Sequence, residues 1–587
     1  KLVQSTQYNP ATSSILLVGR VATAYAGAFT ILLVYLIGRD AYNRTAGLLA
    51  AAMLATAMLH VQTSHFATTD VILGFWTTAA VYCYLKISQK PRLGWYLLGG
   101  VCAGFAVATK WSGVTLPGIL LLAHAIATWG DEREGKTGRW IHTAWLAIAG
   151  LVLLHFFKAA GSNDPPLNVT LAAFRDFYWG WKRVILPALF LLFAASIYLL
   201  ILRKRWHGGR MGWFIPAARI YTPWLWLLLA ILAGLAAFLI GQPMAYFDAE
   251  AFARDIAAQS RMHTTGETPM VFTQQYLHTT PVFYTLDNLF YPSLDWITAF
   301  FTVAGCLAAL GRLFTKGNAS DLLLAAWVIP SFLMYSCFHS KFPRYLDAIL
   351  PVMLVLGGRL IAELASIQPY FYNPAFPQIS PGWKKTAKYA GLFGGALALL
   401  CGLVYGTAYV RIYDQPHTLV TAGKIIQENR RPGSKITQNN WDNGLFGVHI
   451  ESRDQIGIHD RPEEELRDPA ARVRYLAQYL ATYDYIVFPS KRGYGTVLQN
   501  PERFPITTQF LQALFTGQLG FKIAAVITNP VRIFGWELHA DLEDETARIY
   551  DHPKVIIFEK FQKFTQEQLE SLLWSPPAWI TRITPRE

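Results

Sequence analysis

Apolar residues along this chain fall into long blocks separated by short polar punctuation. The blocks at 184–202 and 221–241 run almost without interruption, and a run of about 20 apolar residues is what a helix needs to cross a bilayer core. The alternating segments of about ten residues that a membrane β-barrel requires are not seen. Block length predicts helical spans near 14–37, 45–62, 70–87, 94–109, 112–129, 140–157, 184–202, 223–240, 294–312, 320–337, 344–363 and 389–410, about twelve in all. Past 410 the pattern changes. Short apolar runs at 483–490, 521–527 and 554–560 read as buried strands, the stretches 463–482 and 506–518 as helices. Pro432-Gly433, Asn443-Gly444 and Arg492-Gly493 read as turns. The expected fold is an all-α polytopic membrane protein over 1–410, followed over 411–587 by an extracytoplasmic α/β domain with a C-terminal helical tail.

Composition agrees with that pattern. Of the 587 residues, 15% are charged and 53% hydrophobic, and the mean hydropathy is +0.27. A soluble domain carries about 25% charged residues, so a soluble multidomain enzyme and a disordered chain are both excluded. The net charge of +13 would suggest nucleic acid on a soluble protein. Here it fits cytoplasmic loops rich in Lys and Arg, and no nucleic-acid partner is expected. Arg39, Arg44, Lys86, Lys90, Arg92, Arg203, Lys204, Arg205, Arg312, Arg359, Lys384 and Lys385 fall in one set of alternate loops. That set is assigned to the cytoplasm, which puts residue 1 and everything after 410 outside the cell membrane. Cys83, Cys102, Cys306, Cys337 and Cys401 lie in or beside apolar runs with no CxxC pair. They read as small core residues rather than a disulfide framework or a zinc site. The chain opens with Lys1, and an N-terminal piece is expected to be missing.

Ionisable residues at the outer ends of spans are the candidate chemistry, because charge near a bilayer is costly and tends to be functional. The first group is QTSHFATTD at 62–70. Asp70, with His65 nearby, suits a metal ion or an acceptor hydroxyl. Thr68, Thr69 and Asp70 equally suit the N-cap of the next helix, and the two readings are compatible. The second is Lys110 in ATKWSG, either a point charge for a phosphate or a snorkelling lysine. The third is HSKFPRYLDAILP at 339–351. Lys341 and Arg344, with Tyr345 and His339, suit an anionic head group, although Tyr and Arg also populate interfacial belts. Tyr276, His278, Tyr284 and Asp287 line either a substrate groove or an ordinary interfacial loop. The stretch DAEAFARDIAAQSRM, from 248, reads as an amphipathic interfacial helix. Asp70, Lys110 and Arg344 are expected to approach one another at the outer face.

The segments LLVYLIGRDAYNRTAGLLAAAMLATAMLHVQTSHFATTDVILGFW, GFAVATKWSGVTLPGILLL and KFPRYLDAILPVM occur in that order. Over roughly 14–410 they resemble the family 39 glycosyltransferases of the GT-C membrane enzymes, the protein O-mannosyltransferases and their bacterial relatives. The C-terminal part resembles the outer domain of some bacterial relatives. The resemblance implies transfer of a sugar from polyprenyl phosphate to a hydroxyl on protein, lipid or glycan, at the outer face. It implies an acidic base in the first outer loop. No Asp or Glu occurs in 1–39, so that base is expected upstream of Lys1. By the same resemblance Asp70 corresponds to an acidic residue that helps bind a metal or the substrate in some GT-C relatives. No cofactor is certain, and a divalent metal remains open.

Two rival readings stand beside this one. A transporter or flippase of lipid-linked sugars would use the same outer cations to hold a head group in passage. A non-catalytic scaffold would use the outer domain to bind a partner. The near absence of charge inside the spans favours chemistry at the outer surface.

Overall fold

The computed structural model describes residues 10–129, 215–264, 271–314, 318–366, 381–440, 444–458, 462–538 and 544–574. The chain divides into two compact units. One comprises Ile15–Thr265 and Thr280–Gly406, and the other includes Gly266–Thr279 and Thr407–Glu587.

The first unit is helical. Among the described residues 7 helices are long and apolar enough to cross a membrane, or 8 if a bent pair counts as one span. The expected total of about twelve is therefore not established. The spans expected at 140–157 and 184–202 lie outside the described residues. The other ten expected spans all fall on helix. Three differ from the expectation in shape, that at 112–129 because it opens with the 3-10 segment Trp111–Thr115 before the helix Leu116–Trp129. The span at 45–62 is two helices, Arg44–Thr56 and Met58–His65, bent by 57° at Ala57. The span at 344–363 is a 3-10 turn, Pro343–Ala348, followed by the helix Leu350–Ser366. The cause is Pro351, which has no N–H for the carbonyl of Asp347. The turn closes instead through bonds from Ile349 N to Leu346 O (2.9 Å) and from Val352 N to Ile349 O (3.0 Å).

The helix Leu93–Thr109 packs along Ile215–Gly241 through small residues four apart, the pattern that lets backbones close in a bilayer. A Cβ on Gly100 would lie 2.0 Å from the carbonyl oxygen of Ala230, and one on Gly104 2.0 Å from that of Gly234. Contacts that advance together along both helices make the pair parallel. Gln242 Nε2 then reaches the carbonyl of Ala108 at 2.9 Å. The amphipathic helix Ala249–Thr264 accordingly starts from the same end of the unit as Lys110.

Two residues counted as cytoplasmic loop cations sit differently. Arg359 is buried and pairs with Asp321 and with Glu363 (2.6 Å). Arg312 pairs with Glu363 (3.0 Å) and Asp321 (3.5 Å). Tyr42 donates to Asp321 at 2.9 Å. Their charge is thus neutralised inside the helix bundle rather than offered to a loop surface.

The second unit holds a five-stranded sheet. Its strands are β1 (Ile436–Asn439), β2 (Gln455–Ile456), β3 (Tyr485–Phe488), β4 (Phe521–Ile527) and β7 (Val555–Lys560), in the order β2-β1-β3-β7-β4. β1 pairs parallel with β2 and β3, and β7 pairs antiparallel with β3 and β4. One face packs Ile486, Phe488 and Phe558 against Leu476, Leu480, Phe510 and Leu514. The other packs Val487, Val555 and Ile557 against Leu419, Ala422 and Ile426 of the helix Thr418–Asn429. The three strands expected from apolar runs are present. β1, β2 and a short hairpin, β5 (Arg532–Ile533) with β6 (Trp536–Glu537), were not expected.

Candidate functional site

Asp70 stands in the first turn of the helix Thr69–Gln89, and Thr68 at its N-cap makes no side-chain capping bond. The Asp70 carboxylate is used elsewhere. Lys110 Nζ lies 2.7 Å from one oxygen and Arg344 Nε 3.5 Å from the other. Asp70 is buried at 5% exposure. Lys110 occupies the C-cap of Leu93–Thr109, where the chain turns into the 3-10 segment Trp111–Thr115. Arg344 comes from the Pro343–Ala348 turn. The three residues that were expected to approach one another are therefore in one cluster, on three separate elements of the first unit.

Aromatic rings complete it. Lys110 Nζ lies 4.1 Å from the ring centre of Tyr345, and the Arg344 guanidinium 4.4 Å from that of Phe342. Both are cation–π distances. Burial pulls Lys110 down, and the Asp70 carboxylate opposes that. Lys341 is buried, with its ammonium 3.3 Å from the carbonyl of His339. Its desolvation lowers it to about 8. His65 is exposed, with Nδ1 on the carbonyl of Val61 at 2.9 Å, unlike buried Asp70. Tyr276 and His278 belong to the second unit, where His278 meets Glu502 at 3.3 Å. Tyr284 and Asp287 belong to the first.

Three residues not singled out in the sequence enter the picture. His263, near the end of the amphipathic helix, has its ring 5.8 Å from Phe342 and 6.1 Å from Tyr345. Burial, then the charges of Lys110, Arg344 and His339, lower it to about 4, so it is a neutral imidazole. Asp347, three residues after Arg344 in the same turn, is fully buried. It accepts from Thr63 Oγ1 at 3.0 Å and faces His60 Nδ1 at 3.1 Å. His60 Nε2 faces the carbonyl of Gly27 at 3.1 Å. The signal for Asp347 was in the sequence: a carboxylate within an apolar block needs a partner.

One carboxylate, two cations, a phenol and a neutral imidazole make a cation-rich cluster. Such a set holds a phosphate and stabilises charge that grows on it. A divalent metal suits it poorly. Among the described residues no three His, Cys, Asp or Glu side chains converge, and the one carboxylate here already faces two cations.

Comparison with known proteins bears on the N-terminal part. Residues 3–161 match the family model described as dolichyl-phosphate-mannose-protein mannosyltransferase. Protein O-mannosyl-transferase 1 of Danio rerio is 26% identical over 147 residues, 23% of this chain and 20% of that protein's length. Among solved structures, the apo oligosaccharyltransferase of Archaeoglobus fulgidus overlaps 84% of this chain and 61% of its own, at 15% identity and a TM-score of 0.43. ArnT of Cupriavidus metallidurans, bound to undecaprenyl phosphate, overlaps 92% and 83% at 14% identity and a TM-score of 0.34. Structural likeness at this level does not fix the fold. The sequence match does support what the residues implied: over 3–161 this chain resembles the protein O-mannosyltransferase family.

Proposed function

We propose that this protein is a membrane glycosyltransferase that moves a sugar from a polyprenyl-phosphate donor to a hydroxyl acceptor. The observation that carries the reading is the cluster of Lys110 and Arg344 on Asp70, with Tyr345 beside it; Lys341 comes from the segment just before the turn that holds Arg344. A lipid-linked donor presents a phosphate at the membrane surface, where this cluster lies at helix ends. The match of residues 3–161 to a family described by its dolichyl-phosphate-mannose donor supports the same class.

In this reading Lys110 and Arg344 bind the donor phosphate and stabilise the charge released when the bond to the anomeric carbon breaks. Tyr345 and His263 present neutral hydrogen-bonding groups to the sugar or acceptor. The acceptor is a protein, lipid or glycan hydroxyl. The site faces the outer side, and the α/β unit lies outside the cytoplasm; the basic residues at the opposite helix ends support this orientation. Domain limits of 1–410 and 411–587 belong to the same proposal.

The test supplies purified protein in lipid nanodiscs with polyprenyl-phosphate sugar labelled in the sugar. Cleavage of the sugar from the lipid, lost in Lys110→Ala and Arg344→Ala, is the expected result. Movement of intact donor between leaflets of proteoliposomes, without cleavage, would identify a flippase instead.

A further inference from the structure

The second unit carries an apolar feature that transfer at the cation cluster does not use. Strands β5 and β6 form a hairpin with Phe534 and Gly535 at its tip. Phe534 is 89% and Trp536 81% exposed, the most exposed large apolar side chains among that unit's described residues. Both tip residues have positive φ, +50° at Phe534 and +89° at Gly535. That is the tight-turn geometry that suits paired strands, and Asn or Gly normally fills its first position. A phenylalanine there is strained. Among the described residues nothing buries the ring, which is 89% exposed. The hairpin is otherwise well made: Arg532 pairs with Glu537 at 2.6 Å, and Leu538 N donates to Val531 O at 3.0 Å.

The root of the hairpin is tied to the place where the chain leaves the membrane. Asn529 Nδ2 donates to the carbonyl of Ile412 at 2.8 Å. Ile412 lies in the Arg411–Asp414 turn that directly follows the helix Pro381–Val410. The apolar stretch 389–410 of that helix rises about 33 Å, against about 30 Å for a bilayer core. Lys385 and Lys388 stand at its other end, as snorkelling residues do. Ile412 is thus at the bilayer edge. From Asn529 the tip lies within about 17 Å of extended chain.

We propose that this hairpin is an interfacial anchor, with Phe534 and Trp536 inserted among the lipid head groups on the face where Pro381–Val410 emerges. Aromatic side chains favour that depth, and Arg532, 62% exposed at the strand start, faces phosphate there. The proposal needs the membrane-spanning helix but not the transferase activity.

The test uses full-length protein in nanodiscs with an environment-sensitive fluorophore on Phe534→Cys, Trp536→Cys or Arg453→Cys, with unsubstituted protein as the labelling blank. Arg453 is 78% exposed on the same unit. Quenching of the labels at 534 and 536 by doxyl lipids, several-fold stronger than by aqueous iodide, with the reverse at 453, is the expected result. Iodide quenching at 534 and 536 equal to that at 453 overturns the proposal. Shielding from both quenchers also overturns it, since a glycan or a second copy of the chain would then be the occupant.

Discussion

Replacing Arg344 by alanine separates a folding role from a role in transfer. The change removes a guanidinium 3.5 Å from Asp70 that also covers the Phe342 ring at 4.4 Å. For folding the loss is small. The Arg344 side chain is 27% exposed, and Asp70 keeps Lys110 at 2.7 Å. A partly exposed ion pair contributes about 1 kcal/mol or less, and the ring contact adds about 0.5–1 kcal/mol. For transfer the loss is larger. Removing one donor aimed at developing charge costs about 3 kcal/mol, a factor of about 100 in rate. Sugar cleavage from polyprenyl-phosphate donor, at matched protein, should therefore fall about a hundredfold, while thermal unfolding in detergent shifts only slightly. Arg344→Lys should recover part of the rate, because the charge returns without the fork. An alanine variant within about threefold of the parent rate would remove Arg344 from the site. A fall in activity matched by a large loss of thermal stability would make it a structural residue instead.

Three further outcomes follow from the same geometry. Asp70→Asn leaves the partly exposed Lys110 and Arg344 without their carboxylate, so the protein should lose about 1 kcal/mol or less per pair, yet bind inorganic phosphate more tightly. Weaker phosphate binding in a competition assay would contradict the cation-site reading. The Lys341 ammonium, lowered to about 8 by burial, should lose its proton as pH rises from about 7 to 9, so phosphate affinity falls there and Lys341→Arg flattens the profile. An unfolded lysine holds its proton to about 10.4, so between pH ~8 and ~10.4 the unfolded chain binds the extra proton and stability rises with pH; thermal unfolding across that range checks the sign. Asp347→Ala leaves His60 and Thr63 facing an empty buried position and should cost about 3–5 kcal/mol, Asp347→Asn less, read by denaturation in detergent.

The helices were legible because block length is a strong signal and ten expected spans met helix. The break at Ala57 was not, because no Gly or Pro marks it. The helix ends there against glycines of another helix: a Cβ on Gly406 would lie 2.8 Å from the Thr56 carbonyl oxygen. Strands with continuous apolar runs were legible. β1 reads ITQN, and its polar Gln438 and Asn439 hid a strand that is nevertheless buried. Asp70, Lys110 and Arg344 were legible as charges at the ends of apolar blocks. His263 was not, because a histidine near the end of an amphipathic helix looks like part of its polar face. Only the neighbouring Phe342 and Tyr345 give it a role.

The segment KFPRYLDAILP explains why these elements come together as they do. A 3-10 turn brings residues three apart onto one side, so Arg344 and Asp347 leave Pro343–Ala348 toward the same corner of the bundle. Arg344 reaches Asp70, at the start of one helix, while Asp347 reaches His60 and Thr63, in the helix before it. The backbone there is held as well. Thr77 Oγ1 donates to the carbonyl of Ala348 at 3.0 Å, and a Cβ on Gly74 would lie 2.8 Å from the carbonyl oxygen of Asp347. The carbonyl that Pro351 leaves without a helical partner is thus the point of close approach. A cation that must meet a phosphate at fixed distance stabilises charge best when it need not move. Here the buried Asp347 fixes the turn and leaves the half-buried Arg344 at its rim, so the guanidinium is set in place by residues that no substrate has to touch.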